Sequence, residues 1–387
     1  MSLKSTWNVQ DFRRVAKRKL PKIAFDFLDG GVLDEKAKNG NRLAYSEYSL
    51  RPSALFDQQV DTKTNIFGVD LDLPFIISPM GSLTLFHNSS DVGLARAAAH
   101  ANTIFTHSVV SSVSIEETVE NLHPERVWAQ MSFRETEVET LRYLNRIKKL
   151  GIRTIVLNAE TRATDNREID FRNGLQRKGW PPNPPLSGMF NILFHPTFLL
   201  RIFLGRGLTR GDYEIDGRKV KMRNIYSILE RFKGITWSQI ERIRELWDGN
   251  LVIKGIMNPG DAERVIKLGA DAVWVSNLGG RHFDQAPATL RALPEISQAV
   301  KALDPDFPII FDGGVRRGSD IVKALALGAD VIASGRPFAF ALGAYGERGA
   351  GRFYALIHEE LKHNLTNVGV ARPADLSEDV LIRNASK

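Results

Sequence analysis

The chain has 387 residues, 43% hydrophobic and 25% charged, with 52 Lys and Arg against 45 Asp and Glu for a formal net charge of +7. Cysteine is absent, which excludes disulfides, thiolate catalysis and Cys-ligated metals, and no apolar run reaches the roughly 18–20 residues of a spanning helix. The basic balance favours anionic partners, without choosing among a phosphate cofactor, a carboxylate substrate, nucleic acid and an acidic lipid surface.

In chain order, MSLKSTWNVQDFRRVAKRKL lacks the apolar stretch and small-residue site of a secretory signal. Residues 1–69 read as a helical lead-in, with VQDFRRVAKRKL and KIAFDFLDGG as its helical pieces. From residue 70, short apolar runs alternate with amphipathic segments such as DVGLARAAAHA and PGDAERVIKLGA. The strands predicted in this way are 73–79, 103–108, 126–131, 153–158, 251–255, 271–276, 307–314 and 330–335. This repetition predicts an α/β protein, a (β/α)8 TIM barrel, with its chemistry at the C-terminal ends of the strands. A doubly wound sheet is the competing arrangement. The chain thus reads as a single barrel domain, 1–387, with the helical N-terminal lead-in and a long insertion after strand 4, residues 163–235.

That insertion carries a turn, WPPNPP (180–185), and then MFNILFHPTFLLRIFLGRGLTR (189–210). Phe190, Phe194, Phe198, Leu200 and Phe203 crowd together with Arg201, Arg206 and Arg210 nearby. An interfacial membrane element over 189–204 combines these features; so does a helix packed on the barrel or in a subunit interface.

The strongest motif is DGGVRRGSD (312–320), followed one βα unit later by SGRP (334–337). Gly313 and Gly314 let backbone N–H groups approach an anion, Arg316 supplies charge, and Gly335 with Arg336 opens a helix whose N-terminus favours phosphate. Lys254 ends the fifth strand and is costly to bury without an anionic partner. That partner is the anionic edge of a reduced flavin, a salt bridge, or the lysine serves in a Schiff base.

Together LPKIAFDFLDGG, IISPMG, KGI, SN-x-GGR and DGGVRRGSDIVKALALGA with GRP resemble the FMN-dependent 2-hydroxy acid dehydrogenases and oxidases, the group of glycolate oxidase, L-lactate dehydrogenase and mandelate dehydrogenase. The resemblance covers nearly the whole chain. It implies FMN as cofactor, with backbone contacts from Met80 and Gly81 and hydrogen bonds from Ser108 and Gln130 to the ring. Asn158 stands where the family usually has Thr. Lys254 falls by N1–O2 with Ser276 nearby, Asp312 at the ribityl chain, and Gly314, Arg316, Gly335 and Arg336 at the phosphate. A homotetramer and, in membrane-associated members, attachment through the insertion are further implications.

The substrate half departs from that pattern. In the family the strand-six motif reads SN-His-G-x-R: the His takes the substrate hydroxyl proton as hydride moves to flavin N5, and an Asp on strand four orients it. Here those positions are Leu278 and Glu160; Phe27 and Ser132 replace two substrate-contacting tyrosines, and Val110 a bulky aromatic. Arg281 and Arg167 match the carboxylate-side arginines. Leucine accepts no proton, and losing a general base typically costs about 10²–10⁴ in rate.

Glu160 is the first candidate to replace the base, and Glu160, Lys254 and Arg281 are the candidate catalytic groups. His282 follows Arg281, a position that turns its side chain away from the flavin. His107 points opposite to Ser108 and reads as a core histidine, while His87 and His195 lack convergent partners and no metal-site spacing occurs. Two functions stand: an FMN oxidoreductase acting on a small carboxylate substrate, and an FMN-binding protein without 2-hydroxy acid turnover. Basic residues dispersed through helices argue against nucleic acid. The expected location is cytoplasmic, peripheral on the inner face of the membrane if the insertion lies in the interface.

Overall fold

The computed structural model describes residues 1–132, 136–159, 163–175, 184–204, 214–215, 218–219 and 235–385. Eight parallel strands close into a barrel: β1 (Phe75–Ile77), β2 (Phe105–His107), β3 (Val127–Met131), β4 (Thr154–Asn158), β5 (Asn250–Ile256), β6 (Ala272–Val275), β7 (Ile309–Asp312) and β8 (Val331–Ser334). Neighbours in sequence are neighbours in space, β4 pairs with β5 through Val156 and Val252, and β8 returns to β1 through Ile332 and Phe75. All eight predicted strands are present. The span 73–79 shortens to three residues because Pro74 and Pro79, lacking N–H groups, flank it.

Side-chain alternation decides what the barrel presents at its mouth. Ile76, Ile104, Trp128, Val156, Val252, Trp274, Ile310 and Ala333 form one buried cluster, the barrel's filling. Their strand neighbours Phe75, Phe105, Ala129, Leu157, Ile253, Val275 and Phe311 belong to the other cluster, packed under the helices. Continuing the inward parity toward the strand ends reaches Ser78, Ser108, Gln130, Asn158, Lys254, Ser276, Asp312 and Gly335. An apolar plug therefore gives way to a polar layer within one residue pair on nearly every strand.

Around the barrel run α4 (Ser90–His100), α5 (Ile115–Val119), α6 (Glu137–Lys149), the insertion helices α7 (Glu168–Arg172), α8 (Leu186–Leu193) and α9 (Pro196–Leu204), then α10 (Trp237–Leu246), α11 (Pro259–Lys267), α12 (Thr289–Leu303), α13 (Gly318–Ala326), α14 (Arg336–Tyr345) and α15 (Glu347–Val368). The lead-in contributes α1 (Val9–Lys19), α2 (Lys22–Asp29) and α3 (Lys36–Leu43). It is not wholly helical. A hairpin, Thr64–Ile66 with Val69–Leu71, puts Ile66, Phe67 and Leu71 against the barrel filling, and Tyr48–Leu50 pairs with Leu381–Arg383. Three-residue strands are too short for alternation to show in a sequence.

Long-range polar contacts bolt the lead-in over the mouth. Asn41 and Asn277 exchange amide hydrogen bonds of 2.7 and 3.0 Å, and Asp284 accepts from the Asp34 and Ala37 N–H groups at 3.2 and 3.3 Å, capping the start of α3. The Tyr45 hydroxyl donates to the Gly313 carbonyl at 2.8 Å. Gly280, at φ 71°, lets α3 approach so closely that an added Cβ would lie 2.3 Å from the Lys38 nitrogen. Gly68 has a similar φ of 79° but open space around it. Gly280→Ala is therefore expected to lower stability by more than the roughly 1–3 kcal/mol of backbone strain that Gly68→Ala incurs, as measured by thermal unfolding of the two variants.

Candidate active site

The polar layer forms two hydrogen-bonded arcs. On one side the Ser108 hydroxyl donates to Gln130 Oε1 at 3.1 Å, and Gln130 Nε2 donates to Asn158 Oδ1 at 2.8 Å. On the other, Lys254 Nζ donates to Ser276 Oγ at 2.6 Å, Ser276 donates to Asp312 at 2.6 Å, and Lys254 pairs with Asp312 at 3.0 Å. Trp274 Nε1 and the Ser78 hydroxyl also donate to Asp312, at 3.1 and 3.3 Å. A register shift after Lys254, at Gly255 with φ 107°, breaks the β5–β6 ladder and sets the direction in which the lysine leaves the strand. The salt bridge weighed for Lys254 is thus present, and its counter-ion is another predicted site residue.

Beside this layer the ends of β7 and β8 collect cations. Arg316 Nη1 and Arg336 Nε are buried without a hydrogen-bond partner. Burial, then repulsion from Arg336 and Arg42, brings the Arg316 guanidinium down to about 9, with Asp29 opposing. Arg336 falls to about 10, chiefly through burial. It does not point all its donors at the phosphate position: Nη1 donates to the Gly279 carbonyl at 2.7 Å and Nη2 to the Gly30 carbonyl at 2.8 Å. Gly335 lies against Met80, where an added Cβ would sit 3.5 Å from the thioether, and Gly81 lies against Val110. Glycine turns, buried unpaired guanidinium nitrogens and an N-terminal helix turn at Arg336 constitute an anion cradle next to a polar layer.

The chain matches the model of the FMN-dependent dehydrogenases over residues 16–383. It belongs to the FMN-dependent dehydrogenase family. Among its relatives are an L-lactate dehydrogenase of Vibrio parahaemolyticus, 34% identical and covering 96% of this chain and 98% of the relative, and one of Pseudomonas syringae, 33% identical over 97% and 98%. In structure it is similar to a monotopic membrane protein, (S)-mandelate dehydrogenase, with TM-score 0.90, 28% identity and coverage of 98% and 100%. Mandelate oxidase matches with TM-score 0.80, 29% identity and coverage of 95% and 96%. The protein is an FMN-dependent oxidoreductase of the 2-hydroxy acid dehydrogenase and oxidase family, and the cradle fits its cofactor: a phosphate dianion answers the unpaired Arg316 nitrogen, and the polar layer offers donors and acceptors to a flavin ring.

At the end of α2, Arg281 and Arg167 converge on Phe27, their guanidinium carbons 5.2 and 4.6 Å from its ring centroid. Both also donate to the Phe27 carbonyl, at 2.9 and 3.1 Å, and Arg167 pairs with Asp170 at 2.7 Å. Burial, then Arg167 and Arg336, hold the Arg281 pKa well below its ordinary value, with Asp170 opposing. Burial raises the Asp170 carboxyl, against the pull of Arg167 and Arg281. Leu278 adopts left-handed backbone, φ 52°, and its N–H donates to Ser276 Oγ at 3.1 Å. Ser132 is half-buried at the end of β3, and Glu160 lies outside the described residues.

His282 does not stand apart from the site. Burial, then Arg281, Arg167 and Lys254, lower it to about 4, and Nδ1 lies 3.4 Å from Thr164 Oγ1. His107 is a core histidine, fully buried with Nδ1 2.9 Å from Thr118 Oγ1. Sequence reasoning missed Ser78, Tyr45, Asn41 and Asp170. Inward parity from Ile76 identifies Ser78; nothing local marks the others.

Two outcomes follow from the charges. Arg316→Gln is expected to weaken FMN retention by at least about tenfold, read as flavin released on dilution, because a charge-assisted hydrogen bond to phosphate is lost. His282, depressed from 6.5 to about 4, binds a proton in the unfolded chain but not in the fold between those pH values. Stability is therefore expected to fall as pH drops from about 6.5 toward 4, by up to about 3 kcal/mol from this residue, and His282→Gln should flatten that part of the melting-temperature profile.

Proposed function

We propose that the protein oxidises a small carboxylate-bearing substrate, a 2-hydroxy acid or an amino-acid-like relative, whose carboxylate is held by Arg281 and Arg167. The observation that carries this is the pair of guanidiniums gathered on Phe27, with Arg281 half-buried and repelled by Arg167 and Arg336. Bound FMN supplies a two-electron acceptor at N5. Lys254 would lie at its N1–O2 edge, while Met80, Gly81, Ser108, Gln130, Asn158, Ser276, Asp312, Gly314, Arg316, Gly335 and Arg336 would hold the cofactor. Phe27 offers the substrate a ring face but no hydroxyl, and Ser132 is too short to replace a tyrosine's reach.

The proton goes elsewhere than residue 278. Leu278 offers no atom that accepts a proton, which leaves Glu160 as the proton acceptor. An amine substrate, able to lose its proton before hydride transfer, reduces what is asked of that group. The second reading, an FMN protein without 2-hydroxy acid turnover, draws on Leu278, Phe27 and Ser132 together.

Anaerobic addition of L-2-hydroxy acids and then the corresponding amino acids to the oxidised protein separates the two. Bleaching of the visible flavin absorption by one compound is expected, and Glu160→Gln should then slow it by about 10²–10⁴. A spectrum that stays oxidised with every compound, while dithionite still reduces the flavin, favours the second reading.

The insertion supports a further part of the proposal, peripheral attachment to the cytoplasmic face of a membrane. Leu186, Phe190 and Leu193 on α8, Phe194 just beyond its end and Leu200 on α9 are exposed, Phe194 to 80%. No helix among the described residues is long and apolar enough to cross a membrane. Deleting 189–204 is expected to move the protein from the membrane to the soluble fraction with its FMN retained; continued sedimentation with membranes rejects attachment through this segment.

A further inference from the structure

Where the insertion meets the barrel, three basic groups face one another without a carboxylate. Phe198 anchors α9, 7% exposed, and the next turn brings Arg201 inward. Its Nη1 donates to the Phe86 carbonyl at 2.6 Å, and its Nε is buried without a hydrogen-bond partner. Lys19, the last residue of α1, donates to the Ala344 carbonyl at 2.5 Å and lies 4.8 Å from the Tyr345 ring. His87 completes the group. Its Nδ1 accepts from the Ser89 N–H at 3.1 Å, so in the neutral ring Nε2 carries the proton. Gly346, at φ 64°, packs so closely on this ring that an added Cβ would lie 2.5 Å from its Cε1.

Every side chain in this cluster is a donor, and none forms an ion pair among the described residues. Burial lowers Arg201, and repulsion adds to burial at the other two groups. Burial, then Arg201, lowers Lys19; burial, then Arg201 and Lys19, brings His87 down to about 4. A half-buried cluster of this kind is stabilised by an oxyanion that accepts from several donors at once. The flavin phosphate is already provided for by the β7 and β8 loops.

We infer that Lys19, Arg201 and His87 form a binding site for the phosphate of an anionic phospholipid headgroup at the root of the insertion. The apolar surroundings select a lipid over free phosphate: exposed Leu200 precedes Arg201 on α9, and exposed Phe190, Leu193 and Phe194 lie on α8 and just beyond its end, a surface for acyl chains next to a phosphate site. The inference rests on the membrane attachment proposed above and adds the lipid class that it recognises.

The test uses the full-length, FMN-loaded protein and co-sedimentation with vesicles of phosphatidylcholine alone or mixed with phosphatidylglycerol. Wild type is expected to prefer the mixed vesicles. Lys19→Gln and Arg201→Gln should each reduce that preference about fivefold while leaving phosphatidylcholine binding unchanged. Arg18→Gln, which removes an exposed charge one residue away, should reduce it much less. Lys19 is itself exposed, so its variant keeps the result readable if Arg201→Gln disturbs the loop at Phe86. An equal loss with Arg18→Gln shows diffuse surface charge and overturns the site. Binding through 189–204 with no preference for phosphatidylglycerol overturns the site but leaves attachment standing. No binding to either vesicle, or binding that survives deletion of 189–204, overturns both. Displacement of bound inorganic phosphate by Lys19→Gln without any lipid preference would assign the cluster to a free ion and overturn the lipid.

Discussion

Buried arginines require a counter-charge, and here much of it comes from the end of one short helix. The last carbonyls of α2 and Gly30 just beyond it accept from Arg167, Arg281 and Arg336, which reach it from the insertion, from the loop after β6 and from the start of α14. A helix C-terminus carries only about half an elementary negative charge. It can therefore hold three guanidiniums in place without neutralising them, and their remaining field favours an anion at the barrel mouth. Asp29 and Asp170 supply full charges at the edge of the cluster. Burial works against the Asp29 charge, but Arg13, Lys38 and Arg336 outweigh it and lower its pKa.

The catalytic centre inherits its geometry from alternation in the barrel. Trp128, Val156, Val252, Trp274 and Ile310 fill the interior, and two residues later the same parity places Gln130, Asn158, Lys254, Ser276 and Asp312 at the mouth. That regularity made the barrel and its polar layer legible in the sequence. Each strand announces its inward residues at every second position, and the glycine-arginine loops follow directly. The lead-in was far less legible. Asn41 and Tyr45 act through Asn277 and Gly313, 236 and 268 residues away, and no local pattern encodes a partner at that range. Arg336 was read as a phosphate ligand, yet two of its donors are spent on Gly279 and Gly30, acceptors that only the folded chain brings to it.

Residue 278 shows how a loop can hold its shape without help from one of its own side chains. Leucine is a poor choice for left-handed backbone, which costs a residue with a Cβ roughly 1–2 kcal/mol. The loop nevertheless holds that conformation, followed by Gly279 and Gly280 at φ 61° and 71°. Its shape is imposed by the Asn41–Asn277 pair, the Ser276 hydroxyl and the close approach of α3, none of which depends on the side chain at 278. The backbone at that position therefore does not depend on which side chain it carries.

The same clasp of α3 on the loop after β6 sets an order on biosynthesis. Residues 30–45 leave the ribosome early, but Asn277, Gly280, Asp284 and Gly313, which secure them, are synthesised more than 230 residues later. At about 5–20 residues per second the lead-in waits some tens of seconds with its contacts unmade. Residues 30–45 are thus among the first made and the last to settle, and a nascent chain shielded by a chaperone during that interval is protected at the segment that later covers the barrel mouth.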